Sequence, residues 1–207
     1  MKFAVFVSGN GTNLQAIINA VKKGTLKAQL ALVLCDNFQA YALKRARKAK
    51  IKSVFINPKT YPDRKSYDRE MLKYLKQEKI DFIVLAGFMR ILSEEFVRKY
   101  QGKILNVHPS LLPAFRGGRA IADAFEYGVK VTGVTVHFVD VLVDHGPVIL
   151  QEAVVVKPND TLSTLEERIH KVEHQIYPRA IDLFARGRLR LKARKVLVRV
   201  RQRSESR

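Results

Sequence analysis

An asparagine and a histidine stand two residues apart in KILNVHPSLLPAF, residues 103–115. On an extended chain, Asn106 and His108 point to the same side. An imidazole can carry a proton near neutral pH, and an asparagine amide can donate to a developing oxyanion. Pro109 biases His108 toward extended geometry, which puts the pair at the end of a strand. A histidine that merely caps a strand has the same local sequence. A third group is offered by DVLVDHGPV, residues 140–148, where Asp140 and Asp144 lie in a loop with glycine and proline. A carboxylate beside His108 would favour its charged form and fix its ring. A loop aspartate taken alone is more often a turn former.

Two further stretches could hold ligands. In VSGNGTNLQAII, residues 7–18, a strand ends at Ser8, a glycine turn follows and a helix opens near Asn13. Backbone N–H groups at such a helix start converge, and the helix dipole favours an anion there. The stretch is not G-x-G-x-x-G and has no phosphate-loop lysine. One phosphate monoester therefore fits it better than a dinucleotide or a nucleoside triphosphate. In LAGFMRIL, residues 85–92, a strand runs into Gly87 and an apolar turn that includes Arg90. Met89, Ile91 and Leu92 could wall the faces of a flat aromatic ligand while backbone groups meet its polar edges. Of the remaining histidines, His137 reads as packing in mid-strand and His145 as solvent-facing. His170 and His174 are spaced i, i+4 on a helix, but HKVEH is not H-E-x-x-H and no third ligand is apparent, so no metal is expected.

The elements that must position these residues follow from hydrophobic periodicity. Residues 2–7, 28–35, 52–56, 81–86 and 103–107 are short apolar runs, as in strands covered on both faces. Helices are expected over 13–23, 39–50, 66–79 and 93–100, with Ser93 and its following acids as one start. This alternation implies an α/β fold with a doubly wound, mostly parallel sheet, which binds ligands at the carboxyl ends of its strands. After residue 118 the pattern changes to a helix over 119–127, strands over 133–139 and 148–156 as an antiparallel addition, and a long C-terminal helix over 161–185. Thr161 is a candidate cap for that helix, and Gly187 follows its end. Residues 188–207 alternate apolar and basic side chains, as in a small hairpin followed by a tail.

Length and composition set the outer bounds. A chain of 207 residues with 47% hydrophobic side chains can build one sizeable domain. No apolar run reaches the roughly 20 residues of a membrane helix, and the N-terminal apolar run is too short for a signal peptide. The single Cys35 excludes an intramolecular disulfide framework. A cytoplasmic protein without a membrane partner is the expectation. Lysine and arginine total 38 against 19 acids, a net charge of +19 that suits anionic partners.

The motifs SGNGTNLQAII, LAGFMRIL, NVHPSLLP, DHGPVILQ and VEHQIYP occur in the order seen in glycinamide ribonucleotide formyltransferase. The chain closely resembles that family from about residue 1 to 187, the remainder being the basic hairpin and tail. The resemblance implies transfer of a formyl group from 10-formyltetrahydrofolate, a co-substrate, to the amino group of glycinamide ribonucleotide in purine synthesis, with no metal. It implies a phosphate-binding half over about residues 1–100 and a folate-binding, catalytic half over about 101–187. Gly11, Thr12 and Asn13 would hold the nucleotide phosphate, with His170 and Glu173 lining the same substrate site. Arg64, Met89, Arg90, Ile91, Leu92, Asn106, Asp140, Val141 and Asp144 would hold the folate. Asn106, His108 and Asp144 would be the catalytic set. The partners would be small molecules carrying phosphate and glutamate anions, the protein a monomer or homodimer, and nucleic acid no partner.

Arg116-Gly117-Gly118-Arg119 departs from that family's usual Pro-Gly and resembles the SLLPxxRG of methionyl-tRNA formyltransferase. The SGNGTN loop and a chain ending at 207, with no C-terminal tRNA-binding domain, argue for the ribonucleotide enzyme. Formyltetrahydrofolate hydrolase usually carries a regulatory domain before this core. A basic nucleic-acid-binding module without activity would not need all three polar catalytic positions. Arg116 and Arg119 could supplement phosphate binding.

Overall fold

The structure is a computed structural model that describes residues 1–199; residues 200–207 of the basic tail lie outside the described residues. Its centre is a seven-stranded sheet in the order β3-β2-β1-β4-β5-β6-β7. The strands are β1 (Lys2–Val7), β2 (Gln29–Cys35), β3 (Ser53–Phe55), β4 (Phe82–Leu85), β5 (Ile104–His108), β6 (Val131–Phe138) and β7 (Val148–Val155). β1 to β5 pair in parallel, whereas β6 and β7 add antiparallel at one edge. The helices are α1 (Thr12–Lys22), α2 (Tyr41–Lys48), α3 (Arg64–Gln77), α4 (Glu94–Lys99), α5 (Ala120–Tyr127) and α6 (Leu162–Ala185). A two-stranded hairpin, β8 (Leu189–Lys192) and β9 (Lys195–Val198), follows α6.

Both sheet faces are covered, which explains why the parallel strands lack alternation in sequence. On β1, Phe3, Val5 and Val7 enter a core shared with α1, α2 and α6, while Ala4 and Phe6 enter a second core under α3 and α4. β4 divides the same way, Phe82 and Val84 against Ile83 and Leu85. Phe3 stacks on Phe82 with ring centroids 5.1 Å apart. Buried aromatics of this kind cost about 3–5 kcal/mol when truncated to alanine.

The helix starts follow local chemistry. The Ser93 hydroxyl accepts from the Phe96 N–H at 3.2 Å, and Thr161 forms a reciprocal capping box with Thr164. α6 ends before Gly187, whose φ of 64° lies in the left-handed region. The buried Tyr177 hydroxyl on α6 lies 2.7 Å from the Leu85 carbonyl and 2.9 Å from that of Leu105. It ties the long helix to the end of β4 and the start of β5, and burial pushes its phenol well above the ordinary value. The first helix opens at Thr12, one residue before the sequence-based boundary, because Gly11 already acts as its left-handed cap with φ 76°.

Candidate active site

The sheet reverses its strand order between β1 and β4, so their carboxyl ends diverge into a crevice. Three pieces meet there: the turn after β1, the turn after β4 and the end of β5. The Met89 N–H donates to the Ser8 hydroxyl at 2.9 Å and the Ser8 N–H donates to the Gly87 carbonyl at 3.0 Å. These bonds lock the 86–92 turn against the end of β1.

The turn after β1 is an anion-ready helix start. No acid stands in the first turn of α1, and no side chain caps it. The leading N–H groups of a helix have no partner within it. A β-carbon on Gly11 would come within 2.7 Å of the Ala42 β-carbon, so only glycine lets α1 and α2 start this close together. Arg45 braces the loop from α2, its Nε donating to the Asn10 carbonyl at 2.9 Å and a terminal nitrogen to Asn10 Oδ1 at 2.7 Å. Sequence reasoning passed over Arg45 because nothing in its helical surroundings sets it apart from other surface arginines.

Asn13, His170 and Glu173, distant in sequence, converge. The Glu173 carboxylate is only 4% exposed, and its Oε2 accepts from Asn13 Nδ2 at 3.0 Å and from His170 Nδ1 at 2.9 Å. The Glu173 contact holds the His170 imidazolium above its usual range, whereas burial lowers the basicity of His174 one turn on. Among the described residues, no cluster of three or more His, Cys, Asp or Glu could hold a metal ion.

At the end of β5, Asn106 and His108 sit on one face beside a strand sequence reasoning had treated as packing. The antiparallel register sets His137 opposite Asn106 and Thr135 opposite His108. His137 Nδ1 donates to the Phe138 carbonyl at 2.8 Å, which leaves Nε2 to accept from Asn106 Nδ2 at 3.2 Å. Burial lowers the His137 basicity, keeping it neutral in this role. It therefore fixes the Asn106 amide and leaves the second amide hydrogen for a ligand. A visible signal existed: Thr135 and His137 are polar at i, i+2 in a largely apolar strand.

His108 is 4% exposed and meets an acceptor at each ring nitrogen. Nε2 lies 2.8 Å from the Phe115 carbonyl, and Nδ1 lies 3.4 Å from Asp144 Oδ2. The Nε2 contact is a hydrogen bond, and the Nδ1 contact is an ion-pair distance. Asp144, with φ 48°, also accepts from the Gly117 N–H at 2.9 Å, and its Oδ1 is 3.8 Å from His137 Nε2. The unusual Arg116–Arg119 stretch thus contributes its backbone. Gly117 supplies the N–H at a φ of 94° that other residues resist, while Arg119 is turned to Asp123 and Glu126 of α5. The preceding turn is pinned to the antiparallel strands. Thr135 Oγ1 donates to the Ser110 carbonyl at 2.7 Å, and Gln151 Nε2 donates to the Leu112 carbonyl at 2.9 Å. Leu111 packs where a β-carbon on Gly133 would stand.

The expected donor wall divides. Met89 and Ile91 are exposed, with Val141, Leu142 and Val143 exposed at the tip of the 139–147 loop. Leu92 instead turns its side chain into the second core, which leaves its backbone for a ligand. Arg64 and Arg90 are exposed, and both act on buried Asp68, whose carboxyl is raised by burial against their opposing pull. Arg90 also lies over the Tyr67 ring, 5.3 Å from its centroid. Asp140 is tied to His145, whose Nδ1 is 2.7 Å from Oδ2; His145 is half-buried and paired, not directed to solvent as its loop position suggested.

Against known proteins, residues 1–181 match the formyl transferase family. A phosphoribosylglycinamide formyltransferase of Bacillus subtilis (strain 168) is 45% identical over 180 residues, covering 87% of this chain and 92% of that protein. The trifunctional purine biosynthetic protein adenosine-3 of Homo sapiens is 47% identical over 190 residues, 92% of this chain but 19% of that longer protein. Glycinamide ribonucleotide transformylase 1 from Symbiobacterium toebii, a crystal structure, has a TM-score of 0.93 at 44% identity, over 96% of this chain and 93% of that one.

Proposed function

The chain belongs to the formyl transferase family, among its phosphoribosylglycinamide formyltransferases, and we propose that it moves the formyl group of 10-formyltetrahydrofolate directly onto the amino group of glycinamide ribonucleotide, in purine biosynthesis. The observation that carries this reading is the contact of Asp144 Oδ2, 3.4 Å from His108 Nδ1, beside the oriented amide of Asn106. We read residues 1–187 as one transferase domain.

The acceptor phosphate would lie on the N–H groups at Gly11, Thr12 and Asn13. Both donors to Glu173 land on Oε2, so Oε1 keeps its capacity to accept from a ligand hydroxyl, with His170 beside it. The donor's flat ring would lie between the Met89–Leu92 turn and the loop of Asp140 and Val141, with Arg64 and Arg90 available to its glutamate anion. The exposed apolar side chains of these two segments suit such a ring.

In the reaction the amine attacks the formyl carbon, with no acyl group on the enzyme. Asn106 donates its free amide hydrogen to the developing oxyanion. His108 Nε2 turns from the Phe115 carbonyl toward the same oxygen, and Asp144 supports the charged ring. The proton lost by the amine reaches the leaving nitrogen through His108 or water. Holding both reactants in one crevice supplies much of the remaining acceleration. An absorbance assay of donor loss, run with glycinamide ribonucleotide, with initiator tRNA and with water alone, tests the reading. Loss driven by the ribonucleotide is expected; loss driven only by tRNA or by water would overturn it.

A further inference from the structure

We propose that Arg194, at the turn of the C-terminal β8–β9 hairpin, is a positioning residue for the donor site: it straps the 139–147 loop through His145 and Asp140. The inference rests on the functional reading above for its kinetic consequence, but not for the strap itself.

The hairpin is anchored away from its turn. Leu189 and Val196 pack against the main core, and the Arg199 N–H donates to the Arg188 carbonyl at 2.8 Å to close the open end. Lys192 pairs with Lys195 across a two-residue turn in which Ala193 has φ 50°. The turn projects Arg194 onto the loop. One terminal nitrogen of Arg194 lies 3.2 Å from His145 Nε2, and the other donates to the His145 carbonyl.

A guanidinium can only donate. His145 Nε2 must therefore accept, and the ring proton resides on Nδ1, which donates to Asp140 Oδ2 at 2.7 Å. Asp140 Oδ1 in turn accepts from the Leu142 N–H at 3.0 Å. Arg194 thus selects the tautomer that holds Asp140, and Asp140 fixes the backbone of the loop tip. That tip carries Val141, Leu142 and Val143, three exposed apolar residues facing no core of their own. The loop's base is closed separately. The Phe138 N–H donates to the Pro147 carbonyl at 2.9 Å, and Gly146 lies where a β-carbon would be 1.8 Å from the Phe138 oxygen. Asp144 is held from the other side by the Gly117 N–H. The loop is gripped at two points by different parts of the chain. The Gly117 grip serves the catalytic carboxylate, and the Arg194 grip serves the donor wall.

The test is a double-mutant cycle with Arg194→Ala and His145→Ala, read by kinetics and by residue-resolved amide exchange. Arg194→Ala should raise the donor KM roughly tenfold, the worth of one charge-assisted hydrogen bond, with the acceptor KM and kcat nearly unchanged. It should cost less once His145 is alanine, because the ring contact is then already lost and only the bond to the residue 145 carbonyl remains. Exchange of the Leu142 amide should quicken in Arg194→Ala, and Arg194→Lys should restore part of the protection. Arg190→Ala, on the exposed side of the same hairpin, serves as the control for general hairpin damage. Equal rises in both KM values, an additive double mutant, or unchanged Leu142 exchange would overturn the strap. If the wild-type chain moved no formyl group, the functional reading would fall, while the exchange result would still decide whether Arg194 holds the loop.

Discussion

The proposed acceptor end of the crevice stands on helices, and the proposed catalytic end stands on turns. Asn13, His170 and Glu173 project from α1 and α6, two helices fixed to the core by apolar faces on both. His108 is on a strand, but its partners are the Phe115 carbonyl and the Asp144 carboxylate, which the Gly117 amide holds in turn, all from irregular backbone. Loops are where chemistry can be re-aimed and where local opening is easiest. The difference teaches where tolerance should lie: changes at the helical end should weaken binding, while changes at the turn end should slow the chemical step.

The largest effect should come from the turn end. His108→Ala should lower turnover by about 100-fold or more, the usual scale for an acid–base group, in steady-state kcat at saturating substrates. Near-normal turnover would remove His108 from the reaction. At the helical end, Glu173→Ala should raise the acceptor KM roughly tenfold, through lost hydrogen bonds to a buried carboxylate, and leave the donor KM in place. A rise confined to the donor KM would reverse the assignment of the two ends.

Gly117→Ala sharpens the contrast further. At φ 94° an added β-carbon strains the turn that feeds an N–H to Asp144. About 1 kcal/mol of such strain corresponds to a roughly fivefold fall in kcat, with the acceptor KM unaltered. The smallest expected effect concerns pH at the helical end. His170 is held above its ordinary value of 6.5 by Glu173, so the pair's contribution is complete below that value and fades as pH rises through the folded one. Wild type should exceed His170→Gln in Tm by about one or two degrees near pH 5.5, screening at this half-exposed ring keeping the gap small. The gap should close near pH 8.5; a gap that widened with rising pH would refute the pairing.

The two ends also differed in how far the sequence revealed them. The helix start at Gly11 was visible because a strand, a glycine turn and a helix are consecutive in the chain, and the spacing of Asn106 and His108 announced a shared face. The doubly wound, mostly parallel sheet followed from apolar runs alternating with helical stretches, whereas its strand order is seen only in the structure. His137 is buried in mid-strand as its sequence suggests, but its pairing with Asn106 across 31 residues depends on the β5–β6 register and was hidden. The backbone donors and acceptors of residues 115–117 carry no side-chain signature at all. The His145–Asp140 pairing was hidden for the same reason, since loop residues reveal partners only once the loop is folded.

In the proposed reaction His108 and Asp144 work as one unit. Single-turnover formyl transfer to glycinamide ribonucleotide should be measured for His108→Ala, Asp144→Ala and the double variant. The double variant should be no slower than His108→Ala alone, since the carboxylate acts through the ring. Losses that multiply in the double variant would mean that the two groups act independently, and the proposed catalytic arrangement would be wrong.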